Sequence, residues 1–142
     1  MAVDLFIHFN GNCREAVEFY AKVFGIEKPP IMVFGDAPPN PEMSLPETAK
    51  NLVMFTHLNI YGSRVMFSDV FPGTQFIAGN NISLTINSKS KDELKRLFEQ
   101  LKDGGKVEME LEKTFWSEFY GMLTDQFGII WQFNYESGQA GK

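Results

Sequence analysis

The same order of short elements occurs twice in this sequence. Residues 3–9 form a short apolar run with aromatic and β-branched side chains, which predicts a buried strand, and residues 82–86 alternate in the way expected of a strand. Each run is followed by a helix-capping pattern, Asn12 or Ser90 with a glutamate three positions on. The two caps lie 78 positions apart, from 12 to 90. The spacing predicts an internal duplication.

Helical periodicity follows each cap. The apolar positions on one face are Cys13, Ala16, Val17, Tyr20 and Phe24 in the first helix, and Leu94, Leu97, Phe98 and Leu101 in the second. Three strands follow each helix: residues 31–34, 52–60 and 64–69 in the first half, and 106–111, 117–125 and 129–134 in the second. The sequence therefore predicts an α+β domain over residues 1–142, built from two βαβββ modules at residues 1–70 and 80–136.

The last hairpin, within residues 114–134, combines aromatic side chains with polar ones. Two strands turn at residues 125–128, and this predicts that Trp116, Glu118, Tyr120 and Gln132 lie on neighbouring strands. Such a group is either ordinary packing, because buried aromatic residues often carry a polar tip, or part of a site. The hairpin alone does not choose between these readings.

Charge and cysteine content restrict the class of protein. The net charge is -5 with no run of Lys or Arg, so a nucleic-acid partner is not expected. The single cysteine excludes an intrachain disulfide. No segment approaches the ~18 consecutive apolar residues of a membrane helix, and the first residues lack a signal-peptide pattern. We therefore expect a cytoplasmic protein with no membrane partner.

One helix can cover only one face of each four-stranded sheet. The other face of each module must be covered by another part of the protein or by a ligand. Two modules side by side make a curved half-barrel. The concave surface of such a half-barrel is a natural cleft for a small molecule.

Three long motifs carry a family resemblance. FNGNCREAVEFYAKVFG after the first strand, VMFSD at the end of the first module and TFWSEFYGMLTDQFGIIWQFN at the end of the second resemble the PhnB-like branch of the vicinal oxygen chelate superfamily. This superfamily also contains glyoxalase I and the bleomycin resistance proteins. The resemblance implies a glyoxalase-like fold and a homodimer whose concave sheets bind a ligand. It does not imply one reaction, because the scaffold hosts several.

The resemblance also allows the family's metal site to be compared with this sequence. Metal-using relatives place four His, Gln or Glu ligands in the cleft, and the matching positions here are Leu5, Val65 or Met66, Asn81 and Gln132. Only two amides remain, and His8 is expected to point through the sheet to the side opposite Leu5. We therefore expect no cofactor, and a divalent metal is disfavoured.

His57 and Cys13 are the remaining chemical candidates. Alternation predicts that Phe55, His57 and Asn59 share one face of their strand, so His57 is the better functional candidate of the two histidines. Cys13 begins the first helix, where the helix dipole would favour a thiolate, although packing against the sheet is the default interpretation.

Two functions from different classes remain. The first is a metal-independent protein that binds a small, partly apolar molecule in an aromatic cleft. The second is a vicinal-oxygen-chelate-type enzyme, a lyase, isomerase or dioxygenase, in which Gln132, His57 or Glu118 moves a proton or stabilises an oxyanion. The candidate ligand-binding residues are Phe9, His57, Asn81, Trp116, Glu118, Tyr120 and Gln132. The sequence assigns no catalytic residue.

Some members of this branch are labelled as ubiquinone-pathway methyltransferases. A methyl donor normally lies against a glycine-rich loop that follows a parallel strand in an open α/β sheet. The sequence predicts neither the sheet nor the loop, so methyl transfer is not expected.

Overall fold

The chain forms two compact units, each a strand, a helix and three strands. A computed structural model describes residues 1–38 and 45–137, and the units are Met1–Ile77 and Ala78–Lys142. The predicted α+β class and the repeated βαβββ order are confirmed. No helix of the described part of the chain has the length and apolar character needed to cross a bilayer.

The first unit contains a mixed four-stranded sheet and one α-helix. Its elements are β1 (Leu5–Phe9), α1 (Cys13–Phe24), β2 (Met32–Val33), β3 (Val53–Ile60) and β4 (Ser63–Asp69), with 3-10 turns at Phe34–Asp36 and Glu47–Ala49. The strand order is β1-β4-β3-β2. β1 runs parallel to β4, and the other neighbours are antiparallel.

The second unit repeats this arrangement. Its elements are β5 (Leu84–Ser88), α2 (Lys91–Leu101), β6 (Lys106–Glu112), β7 (Tyr120–Thr124) and β8 (Ile130–Tyr135). The strand order is β5-β8-β7-β6, and the single parallel pair is β5 with β8.

Each helix packs its apolar stripe on one face of its own sheet. In the first unit the Tyr20 ring stacks on Phe67 with centroids 5.9 Å apart. In the second, Phe98 meets Phe133 edge to face at 5.1 Å. We call the covered side of each sheet its helix face and the opposite side its open face. Burial of these stripes is the main term that holds each unit together.

Strand register decides which side chains lie on the open faces. In the first unit they are Phe6, His8, Met32, Phe55, His57, Asn59, Arg64, Met66 and Ser68. In β5, β7 and β8 of the second unit they are Thr85, Asn87, Tyr120, Met122, Thr124, Ile130, Gln132 and Asn134.

The two predicted helix caps have different outcomes. The Ser90 cap is confirmed, because its hydroxyl accepts a hydrogen bond from the Glu93 nitrogen at 3.1 Å. Asn12 occupies the predicted N-cap position of α1, but its side chain makes no capping bond, so the predicted capping box is wrong. Instead the Asp69 carboxylate, at the end of β4, accepts the Cys13 nitrogen at 3.0 Å.

The last hairpin is shorter than the sequence predicts. A turn holds Thr114 and Ser117: the Thr114 nitrogen donates to the Ser117 carbonyl at 2.9 Å, and the Ser117 nitrogen donates to the Thr114 hydroxyl at 3.1 Å. Because side chains satisfy this backbone locally, the strand begins only at Tyr120. The prediction that Trp116 and Glu118 lie in a strand is therefore wrong.

Candidate functional site

A pocket of about 470 Å³ lies in the second unit, over the open face of its sheet. Apolar side chains, Ile82, Met122 and Ile130, form part of its wall. The polar lining consists of Asn80, Asn81, Ser83, Glu108, Thr124 and Gln132. Two of the sequence-predicted candidates, Asn81 and Gln132, are therefore in the same pocket.

Both the oxygen and the nitrogen of the Gln132 carboxamide form hydrogen bonds with neighbouring side chains. The Tyr120 hydroxyl donates to Gln132 Oε1 at 2.5 Å, and Gln132 Nε2 donates to Ser83 Oγ at 3.1 Å. A carboxamide carries two donor hydrogens and two acceptor lone pairs, so each end keeps one further hydrogen-bonding position. The amide is thus fixed in orientation and can still bind a ligand.

Ser83 was not singled out from the sequence. It lies two residues before Thr85, which pairs with Gln132 across the parallel strands. The period-two alternation of strands places Ser83 on the Gln132 side. Ser83 could be found only from the register of the parallel strands β5 and β8, and no pattern within either strand indicates that register.

Tyr120 connects Gln132 with an exposed tryptophan. Burial raises the pKa of Tyr120, so its hydroxyl is neutral near pH 7 and acts as a donor. The Trp116 ring meets the Tyr120 ring edge to face, with centroids 5.4 Å apart, and 54 % of Trp116 is exposed. The structure brings these three predicted residues together. Glu118 is exposed and is not part of the pocket lining.

Glu108 is the ionisable side chain of the pocket lining. The Thr124 hydroxyl donates to Glu108 Oε2 at 3.0 Å, and Lys106 Nζ lies 3.8 Å from Oε1. The sequence indicated only a half-solvated acidic strand here. The bulge in β6 between Val107 and Met109 changes the pairing register at Glu108, which no local pattern indicates.

The candidates of the first unit lie on opposite faces of its sheet. Phe9 is 2 % exposed and stacks on Phe67, so it belongs to the core under α1. His57 is exposed on the open face. The prediction that Phe55, His57 and Asn59 share one face is confirmed by their alternation in β3.

The predicted orientation of β1 is wrong by one residue. Leu5 pairs with Val65 on the helix face, whereas His8 lies on the open face and its Nδ1 is 2.7 Å from Ser68 Oγ. A strand in which both faces carry apolar side chains gives no alternation from which to read its orientation.

Cys13 is a buried thiol. Burial, and to a smaller extent the Asp69 carboxylate, raise its pKa to about 12, while Arg14 acts in the opposite direction. The thiolate-favouring effect of the helix dipole is therefore overcome, and the default interpretation of Cys13 as a packed, buried residue is confirmed.

The side chains at the expected metal positions do not fit a divalent ion. Leu5 offers no donor atom, Met66 offers only a thioether, and Asn81 and Gln132 offer only neutral amides. Among residues 1–38 and 45–137, no three His, Cys, Asp or Glu side chains are grouped closely enough to hold a metal ion.

Two βαβββ units, each with one sheet face left open by its helix, define a glyoxalase-like fold. Residues 2–134 match the family described as 3-demethylubiquinone-9 3-methyltransferase, and the chain belongs to this family. It is 31 % identical to "Protein YjdN" of Escherichia coli, over 94 % of this chain and 95 % of that protein.

Solved structures agree with this assignment. Protein PA1353 from Pseudomonas aeruginosa is 35 % identical, with a TM-score of 0.83 over 96 % of this chain and 98 % of that one. A putative 3-demethylubiquinone-9 3-methyltransferase, PhnB protein, from Bacillus cereus is 22 % identical, with a TM-score of 0.76 over 96 % and 100 %. A glyoxalase/bleomycin resistance protein/dioxygenase family enzyme from Burkholderia phytofirmans shares the fold at 16 % identity, with a TM-score of 0.57 over 94 % and 98 %. The PhnB-like resemblance is confirmed.

Proposed function

We propose that this protein binds a small organic molecule in the pocket of the second unit, without a tightly bound metal. The observation that carries the proposal is the Gln132 carboxamide, which two hydrogen bonds fix in orientation and which faces a pocket of about 470 Å³. This volume lies within the range of ordinary ligand sites, ~300–1,000 Å³. Because the Gln132 side chain is already ordered, less conformational entropy is lost when a ligand binds.

The lining suggests the chemistry of the ligand. Ile82, Met122 and Ile130 offer an apolar wall, and the Glu108 carboxylate offers acceptor oxygens. A ligand with an apolar body and a hydroxyl or amine donor would satisfy both. Gln132 would contribute one donor and one acceptor at the opposite polar end of such a molecule.

Metal independence is supported by the side chains at the expected metal positions, which include no histidine, cysteine or carboxylate. A transition metal held tightly needs several nitrogen, sulfur or carboxylate ligands together. Elemental analysis of the dialysed protein should find less than about one tenth of a zinc, nickel or iron ion per chain. One ion per chain retained after dialysis would contradict this part of the proposal.

The enzyme alternative has weaker support. The Gln132 amide can donate to an oxyanion but cannot exchange protons near pH 7, and neutral Tyr120 is a poor base. Neither His57 nor Glu118 is in the pocket lining. A binding protein is therefore the better supported function.

The family description names a methyl transfer, which we do not propose. Each sheet has one parallel strand pair among neighbours that are otherwise antiparallel. Methyl donors are typically bound at the carboxyl ends of strands in a largely parallel sheet. The description thus records relationship rather than the chemistry supported here.

The proposal is tested by a thermal-shift screen of the wild type and two variants against a library of small polar aromatic and aliphatic compounds. Gln132→Leu removes the held amide, whereas Gln100→Leu makes the same change on the exposed side of α2. Compounds that stabilise the wild type should bind Gln132→Leu about tenfold more weakly and Gln100→Leu equally well. Hits that bind all three proteins equally, or a library without hits, would contradict the proposal.

A further inference from the structure

We propose that a groove beside the C-terminal end of α1 binds an amphiphilic carboxylate, that is, a small molecule with an apolar body and one carboxylate end. The groove has a volume of about 510 Å³ and belongs to the first unit. Its lining consists of Glu18, Phe19, Ala21, Lys22, Ile26 and Lys28. None of these residues belongs to a strand, so the groove is separate from both open sheet faces.

The way in which α1 ends builds the groove. Gly25 adopts a left-handed conformation with φ 66°, and the Ile26 nitrogen donates a hydrogen bond to the Ala21 carbonyl at 2.8 Å. This pairing turns the chain back against the last turn of the helix. Further along the chain, Lys28 Nζ lies 3.8 Å from Glu18 Oε2. The groove therefore has α1 as one wall and residues 26–28 as the other.

The interior of the groove is apolar. Phe19 and Ile26 are half-buried, and Ala21, which is 2 % exposed, contributes only a methyl group. A contact between Ile26 and the helix is expected at this kind of helix end. Phe19 is different, because it lies outside the apolar stripe that packs on the sheet. Apolar side chains that line an accessible groove away from the core indicate a binding surface.

The charged side chains favour an anion at the rim. Lys22 is exposed and forms no salt bridge with any residue of the described ranges. The 3.8 Å contact of Lys28 with Glu18 is longer than the ~2.7–2.9 Å of a charge-assisted hydrogen bond, and the Lys28 side chain is 73 % exposed. Glu27 is exposed and outside the lining. Two ammonium groups against one carboxylate leave a net positive rim in a chain of net charge -5.

The lining restricts the chemistry of the ligand. Phe19, Ala21 and Ile26 carry no hydrogen-bonding side-chain group, so the part of the ligand inside the groove must be apolar. Lysine ammonium groups pair with a carboxylate at the rim, and the lysine methylene groups extend the apolar wall. The volume is within the ~300–1,000 Å³ of ordinary ligand sites. A molecule such as a short fatty acid meets these requirements.

The test is an NMR titration of the labelled protein with octanoate, and with octanamide as its neutral counterpart. Octanoate should shift the backbone amide signals of Phe19, Lys22 and Ile26, and it should bind about fivefold more tightly than octanamide. Lys22→Gln should remove most of this difference, whereas Ile26→Ser should weaken the binding of both probes. Added salt should weaken the binding of octanoate alone.

Matched controls make the same changes elsewhere on the surface. Lys113→Gln in the second unit and Ile77→Ser, at a side chain that is 79 % exposed, should leave the binding of both probes unchanged. If Ile26→Ser is poorly folded, Phe19→Gln tests the opposite wall and should also weaken both probes. Gln132→Leu should bind octanoate at the groove normally, so this test is separate from that of the pocket in the second unit.

Several results would overturn the proposal. They are shifts confined to residues of the strands, equal affinity of the wild type for octanoate and octanamide, and a Lys22→Gln variant that binds octanoate like the wild type. A change of molecular mass in Ile26→Ser, measured by light scattering, would show that a second copy covers the groove, and the proposal would fail in that case too.

Discussion

The carboxylate of Asp69 accepts a hydrogen bond from the backbone nitrogen of Cys13 at 3.0 Å, so the last residue of β4 caps the first turn of α1. The same Oδ1 accepts the Gly11 nitrogen at 2.8 Å, and Oδ2 accepts the Val53 nitrogen at 2.9 Å. One buried side chain therefore joins the helix start to β3 and β4. The second unit has a related device, in which Asp125 accepts the backbone nitrogens of Phe127 and Ile129 in the turn before β8.

Replacing Asp69 should destabilise the first unit strongly. Asp69→Ala leaves buried backbone donors without an acceptor, at ~1–3 kcal/mol for each, so we expect a loss of about 2–5 kcal/mol in the free energy of unfolding. Asp69→Asn should cost less, because one oxygen acceptor remains. Urea unfolding followed by circular dichroism measures both. Asp36→Ala removes an exposed carboxylate bonded to the Val33 nitrogen and should cost less than about 1 kcal/mol; equal losses in the two alanine variants would contradict the role given to Asp69.

Cys13 should be unreactive in the folded protein and should make stability depend on alkaline pH. Burial raises the pKa of this thiol from 9.0 to about 12, so the folded chain keeps a proton that the unfolded chain releases. The resulting stabilisation is complete below pH 9.0 and is lost as the pH rises from 9.0 towards about 12. The stability difference between the wild type and Cys13→Ala should therefore decrease between about pH 8.5 and about pH 10.5.

Thiol labelling checks the same property directly. At about pH 8, iodoacetamide should modify Cys13 rapidly only after denaturant is added. Rapid labelling of the native protein would mean that the thiol is accessible, contrary to its burial.

Gly105 should not tolerate a side chain. A Cβ at this position would overlap the carbonyl oxygen of Thr124 and lie 2.9 Å from the Cα of Asp125, and neither backbone atom can move freely. We expect Gly105→Ala to lower the free energy of unfolding by more than about 3 kcal/mol. Gly79→Ala is the control, since the nearest atom to its Cβ is 3.4 Å away. Similar melting temperatures for the two variants would refute the packing argument.

The homodimer implied by the resemblance remains a prediction. Exposed apolar side chains support it, notably Phe115 at 96 % and Ile82 at 67 % exposure. Light scattering at micromolar concentration should give twice the mass of the 16.2 kDa chain. A stable monomer under these conditions would rule it out.

The sequence by itself determined the duplicated βαβββ order and the packed helix faces. Both depend on local signals, the period of the apolar residues and the residues that begin or end a helix, so they can be read within one segment. The Ser90 cap is of this kind, because its acceptor and donor are three residues apart.

Tertiary structure decided the features that depend on pairing between distant segments. The cap of α1 comes from Asp69, 56 positions beyond Cys13, and the partner of Gln132 is Ser83, 49 positions earlier. The orientation of β1 was settled by its register with β4, because apolar side chains on both faces of β1 give no alternation to read. Register has no local signature in such strands, so only the folded sheet shows that His8 lies on the open face.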